Sequence, residues 1–120
     1  MGFIERFNKN LERFEWDNYK HYIHSDLYNE LIRIVSDIET SIPSGEFIFG
    51  KVRVSAQKAI EVYSQLQSEH LQSVCEKFYK IGYPIRNKQT YLRAMLYNEF
   101  FEYEATITND VNVNEGVGDV

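Results

Sequence analysis

Two imidazoles, His21 and His24, stand three residues apart, a spacing at which one helical turn can present both to a metal ion. Asp17 and Asp26 are near in sequence, but no H-E-x-x-H run and no cysteine accompanies the pair, which therefore reads as solvent-facing. The one thiol, Cys75, sits among Leu71, Val74 and Phe78, a setting for a small buried hydrophobe rather than a nucleophile. Carboxylates are plentiful, with Asp37 near Glu39 and a group at Glu99, Glu102 and Glu104. Paired acids do general acid–base work when burial separates their pKa values. No sequence signal buries these, and they read as a solvated face. The phosphate-cradling, dinucleotide and nucleophile-elbow motifs are absent. The chain reads as a non-enzyme that holds no metal and no cofactor.

The charge layout is the one uneven feature. From Lys77 to Arg93 run five cations, Lys77, Lys80, Arg86, Lys88 and Arg93, with no acid between them. Tyr79, Tyr83 and Tyr91 interleave with them, so the stretch has the composition of a phosphate-contacting patch with stacking rings. It equally suits a socket for an acidic protein surface, where charge steers association. Lys77 and Lys80 also fall where a helix C-terminus favours cations. Protein-partner binding is placed first, weak nonspecific DNA contact second and dipole capping third. From Ala94 onward there are six acids and no base, a tail that repels nearby DNA. The candidate partner-binding residues are Lys77, Lys80, Tyr83, Arg86, Lys88 and Arg93, with the arginines and Lys88 steering and Tyr83 anchoring.

The elements that must position these residues are mostly helical. Phe3, Ile4, Phe7, Leu11 and Phe14 fall on one stripe, opposite Glu5, Arg6, Lys9, Glu12 and Arg13. That stripe must dock on the body of the domain, on a second copy or on a partner. Glu15 to His24 lacks periodicity and reads as a connector with one helical turn. Ser25 reads as an N-cap, followed by the clearest helix, with Leu27, Leu31, Ile34, Val35 and Ile38 on one face and Ser41 to Gly45 as its stop. Glu46 to Val54 alternates around Gly50, as two short extended runs able to pair as a ribbon that must lie on the helices. Ser55 reads as the cap of a helix with Ala56, Ala59, Ile60 and Tyr63 inward. Ser68 reads as the cap of another, carrying Leu71, Val74, Cys75 and Phe78 and ending near Gly82 before Pro84. Asn87 caps the last helix, whose stripe is Tyr91, Leu92, Met95, Leu96 and Phe100.

Composition agrees. The 120 residues make one domain's worth, long enough to bury a core unaided by disulfides. Hydrophobic residues are 43% and charged residues 26%, and glycine and proline number only six and two, which favours an ordered, helical chain. Aromatics reach 15%, as in small cores and in interaction surfaces alike. No membrane span is present, and the charged N-terminus lacks the apolar region of a signal peptide. A single cysteine fits a reducing cytoplasm. A net charge of −5 argues against the whole chain coating nucleic acid.

Two blocks carry a resemblance. Ile85-Arg86-Asn87-Lys88-Gln89-Thr90-Tyr91-Leu92-Arg93-Ala94-Met95-Leu96-Tyr97-Asn98 resembles the I-R/K-N-…-Y-L-…-L-Y-N signature in the C-terminal domain of RepA-type (RepA_N class) plasmid replication initiators of Gram-positive bacteria. Glu30 to Val35, followed by Phe47-Ile48-Phe49-Gly50, Val52 and Val54, is similar to that domain's opening helix, extended segment and next helix start. The order and spacing of the two blocks agree, and together they cover Ser25 to Glu104, about two-thirds of the chain.

The resemblance implies a compact helical bundle like the C-terminal domain of the primosome protein DnaD. It implies DNA replication as the setting and recruitment of host replisome proteins as the task, with primase first and the helicase-loading machinery next. Origin binding would belong to an upstream winged-helix domain of the same protein. The expected fold is mainly α, with a short extended segment. The expected layout is a single domain over 1–108, made of an N-terminal helix and connector (1–24) and a core (25–108), then a mobile acidic tail over 109–120. The alternatives are a nonspecific DNA-binding domain and a homo-oligomer whose seam is the Phe3–Phe7–Leu11–Phe14 stripe.

Overall fold

Helix α3 (Ser25–Glu39) organises the molecule, because eight of its fifteen residues are buried. In the computed structural model, which describes residues 2–103 in full and only the helical backbone beyond them, α3 touches each of the other five helices. In chain order the elements are α1 (Phe3–Arg13), α2 (Trp16–Tyr19), α3, β1 (Glu46–Phe49), β2 (Val52–Ser55), α4 (Ala56–Tyr63), α5 (Ser68–Tyr79) and α6 (Lys88–Asp119). The fold is mainly helical with one small two-stranded sheet, as the composition and periodicity predict. The acidic tail expected over 109–120 lies outside the fully described residues.

The expected face of α3 is buried, but the buried surface is wider than one stripe. Tyr28, Ile32 and Ser36 are covered as well, because α1 lies on one side of the helix while α4, α5 and α6 lie on the other. The α1 stripe docks within the chain. Phe14 is fully buried, Phe7 and Leu11 pack against the core, and only the first turn, Phe3 and Ile4, stays exposed. That removes most of the seam expected for a homo-oligomer.

The chain turns out of α1 through Glu15, whose φ of 56° is left-handed, a conformation that strains a side chain with a Cβ by roughly 1 kcal/mol. The Ser68 hydroxyl donates to the Glu15 carboxylate at 2.8 Å, and the Tyr28 hydroxyl donates to the carbonyl of Phe14, so both arms of the turn are tied to neighbouring helices.

Two predicted caps are displaced by one residue. Ser25 and Ser68 are the first helical residues rather than the caps, which are His24 and Gln67. At α5 the reason is His70, buried to 3% exposure, whose Nδ1 accepts the Gln67 amide at 2.8 Å. This imidazole is the N3 half of a capping box whose N-cap is Gln67, one residue before the serine. The caps at Ser55 and Asn87 form as expected. Ser55 Oγ accepts from the Lys58 amide at 3.1 Å, and Asn87 Oδ1 accepts from the Thr90 amide at 3.1 Å. α5 ends at Tyr79, earlier than the predicted stop near Gly82.

The alternating segment is an antiparallel hairpin in which Phe49 faces Val52 across the two-residue loop Gly50-Lys51. Gly50 has φ 66°, the value such tight loops demand, and glycine reaches it without strain. One face of the hairpin turns inward: Phe49 and Val54 are buried and Phe47 packs on the core, while Ile48 stays exposed. The hairpin lies on α4 and α6, and Phe49 stacks on Tyr97 with ring centroids 4.7 Å apart. Tyr97 thus reaches across from α6 to the hairpin.

On α6 the buried stripe is Leu92, Leu96 and Glu99. Tyr91 and Met95, expected inward, are half-buried at its edge, because the α5–α6 loop covers that side only partly.

Candidate partner-docking site

The residues expected to bind a partner come from the end of α5, the loop Lys80–Asn87 and the first turns of α6. The loop exists because α5 ends at Tyr79 and Pro84 forbids a helical continuation, while Asn87 restarts the helix. The structure divides the five cations into two groups. Lys77 donates to Glu99 at 2.7 Å and to Glu102 at 2.8 Å. Lys88 lies 3.0 Å from Glu30, and Arg93 lies 2.7 Å from Asp37. Lys80 and Arg86 are exposed and make no ion pair among the described residues. The basic run therefore does not form one phosphate-facing stripe. Its two ends, Lys77 and Arg93, together with Lys88, neutralise carboxylates that the sequence places far away, on α3 and further along α6.

Burial alone would pull the Lys77 ammonium down, but the hydrogen bonds it donates to Glu102 and Glu99 outweigh it and hold it above its ordinary value. Lys77 is thus a clamp between α5 and α6, its charge half exposed but already matched by two carboxylates.

Tyr83 and Arg86 remain free to face a partner. Tyr83 is 62% exposed, and its hydroxyl lies 3.2 Å from that of Tyr91. This hydrogen bond, more than burial, raises the Tyr91 phenol above its ordinary value. Beneath the pair opens a groove of about 480 Å³. The loop contributes Tyr83, Pro84, Ile85 and Arg86 to its walls, and α6 contributes Thr90, Tyr91, Ala94 and Met95. Gly50 at the hairpin tip and Asn98 on α6 also line it. Among the described residues Arg86 is the only charged side chain in the lining. A second depression, of about 360 Å³, lies on the other side of Tyr83 and Ile85, walled by Phe78, Tyr79, Ile81 and Lys88. Tyr79, 55% exposed, stacks on His24 at 4.1 Å.

Other groups singled out for chemistry fall elsewhere. Among the described residues, no set of three or more His, Cys, Asp or Glu side chains could hold a metal ion. His21 is exposed and His24 is half-buried against Tyr79. Cys75 is fully buried, and burial pushes its thiol up to about 12, far from a reactive thiolate. No described helix is long and apolar enough to cross a membrane.

The carboxylates depart most from the sequence reading, which placed them on a solvated face. The Glu39 side chain is 4% exposed and the Glu99 side chain 6%. Glu39 accepts from Arg13 at 2.9 Å and from Asn10 at 2.8 Å. The same guanidinium donates to the carbonyls of Tyr63, at 2.7 Å, and Leu66, at 3.0 Å. Burial lowers the Arg13 pKa, and Glu39 partly restores it. The register carried the signal. Glu99 follows Leu92 and Leu96 at i+7 and i+3, Glu39 follows Ile32 and Val35 at i+7 and i+4, and Asn10 stands between Phe7 and Phe14. Both acids lock helices together, and neither lines the groove. Glu104 lies outside the fully described residues.

Comparison with family models, with curated proteins and with solved structures gives no match.

Proposed function

We propose that this chain is the C-terminal domain of a RepA-type plasmid replication initiator, and that it recruits a host replisome protein, primase first, through the loop 80–87 and the start of α6. The observation that carries this reading is that the residues of the signature-like block share one surface feature. Ile85, Arg86, Asn87, Tyr91 and Asn98 all line the groove. A bundle could be closed by Leu92 and Leu96 alone. The further residues of the block form a partly apolar, partly polar depression with exposed rings at its rim, which has the make-up of a protein-docking surface. The reading carries no catalytic step. The protein would work in the cytoplasm, with origin recognition in an upstream winged-helix domain.

Weak DNA contact by the same cations is the lesser reading, because Lys77, Lys88 and Arg93 already sit on carboxylates. A DNA complex made by Lys80 and Arg86 alone would release about two counterions, so its log-log salt slope would not exceed about 2 in magnitude. Capture of purified primase from a Gram-positive host by the immobilised chain tests the proposal. The wild-type chain retains primase, and the Arg86→Glu/Lys88→Glu variant loses it with its helical circular dichroism unchanged. Equal retention by both, or none by either, contradicts it.

A further inference from the structure

The two depressions share a ridge. Tyr83 and Ile85 line both, so a chain laid across them meets two apolar hollows separated by one tyrosine ring. Among the described residues no carboxylate lines either hollow, on a molecule whose net charge is −5. The larger hollow holds Arg86, which has no ion pair among the described residues, and Lys80 lies in the same loop. Volume alone does not single out this face. A depression of about 480 Å³ beside α1 and α2 matches it in size, but Glu12, Glu15 and Asp17 line that one. An acidic segment would be repelled there and admitted at the ridge.

We propose that the ridge and its two hollows bind a short acidic peptide segment of a partner protein. Two apolar side chains of that segment would straddle Tyr83 and Ile85, and a carboxylate would pair with Arg86. The proposal rests on the docking function above and gives the chemistry of the partner's segment. The walls support a peptide over a nucleic-acid strand. Ile85, Pro84, Ala94 and Met95 offer aliphatic surface rather than a series of stacking planes, and one free cation in the lining is too few to track a phosphate backbone. The exposed hydroxyl pair of Tyr83 and Tyr91 leaves hydrogen-bonding capacity for the peptide main chain at the rim.

Random peptides displayed on phage and panned against the whole chain provide the test. Enriched peptides should carry net negative charge and at least two apolar residues. Synthesised with a fluorophore, they should lose about tenfold or more in affinity on Arg86→Glu and on Tyr83→Ala. Both side chains are exposed, so circular dichroism of either variant should match wild type. Enrichment of neutral or basic peptides, no enrichment, binding that survives both substitutions, or displacement by oligothymidylate would overturn the proposal. Primase capture by the same variants separates the two readings. If primase binds, is lost on Arg86→Glu/Lys88→Glu, and is weakened by neither Arg86→Glu nor Tyr83→Ala alone, the recruiting function stands and the ridge assignment falls. If acidic peptides bind the ridge and primase does not bind, the ridge stands and the recruiting function falls.

Discussion

Two regions of this molecule handle charge in opposite ways. Under α1, Arg13 is turned inward, where it joins Glu39 of α3 to the last carbonyl of α4, at Tyr63, and to the one at Leu66, with Asn10 and Ser36 completing the seam. On the loop between α5 and α6, Arg86 is turned outward beside exposed rings and meets no carboxylate among the described residues. The first arrangement takes two charges out of water and recovers that cost only because nearly every donor and acceptor is met. The second leaves a cation and apolar surface unsatisfied, which contributes little to folding and is available for binding. A charged side chain is therefore informative about function here in proportion to what the fold has left unpaired, and clustering in sequence is a poor guide to that.

The largest expected effect comes from pH. The Cys75 thiol is pushed up to about 12 from its ordinary 9.0, and the Tyr28 and Tyr63 phenols are also raised by burial. These groups ionise in the unfolded chain before they do so in the folded one, so the unfolded state binds fewer protons. Stability therefore falls as pH rises above about 9, and continues to fall toward 12. Urea unfolding at stepped alkaline pH checks this, and the thiol should stay closed to a disulfide reagent at pH 8 until the chain unfolds.

Next is Arg13→Met, which strands the Glu39 carboxylate and two carbonyls, and should cost about 3 kcal/mol in urea unfolding. Adding Glu39→Leu should recover part of that loss, since the stranded charge goes with it. Lys77→Met strands Glu99, but Lys77 is half exposed and water softens the loss to about 1–2 kcal/mol. Tyr63→Phe removes the hydroxyl that donates to the Arg93 carbonyl at 2.6 Å, and should cost about 1 kcal/mol. Smallest is Arg86→Glu, expected to leave the urea midpoint within about 0.5 kcal/mol of wild type. A large loss of stability from Arg86→Glu, or none from Arg13→Met, would break the contrast between the two regions.

Much of the fold was legible because apolar periodicity is a local signal. The α3 face, the Ser55 and Asn87 caps and the ribbon around Gly50 follow from residue type and spacing. The misread caps at Ser25 and Ser68 show the limit of that reading: a serine before an apolar run looks the same whether it caps a helix or starts one, and His70 is not a residue that cap preferences would suggest. The buried acids were missed for a different reason. Their positions on the apolar stripes were visible, but their cations lie 26 residues away for Glu39 and 22 residues away for Glu99. The candidate site was half legible. Tyr83 and Arg86 were picked out by a run of bases and tyrosines, whereas the pairing of Lys88 with Glu30 and Arg93 with Asp37 depends on how α6 crosses α3, which no local pattern encodes.

Two-dimensional NMR of the isotope-labelled chain during titration with host primase tests the central claim most directly. Amide shifts should move in residues 80–98 and at the hairpin tip, Gly50 and Lys51, while α1 and the Arg13–Glu39 seam stay still. Shifts centred on α1 and α2, or a spectrum that does not change at saturating primase, would contradict the account.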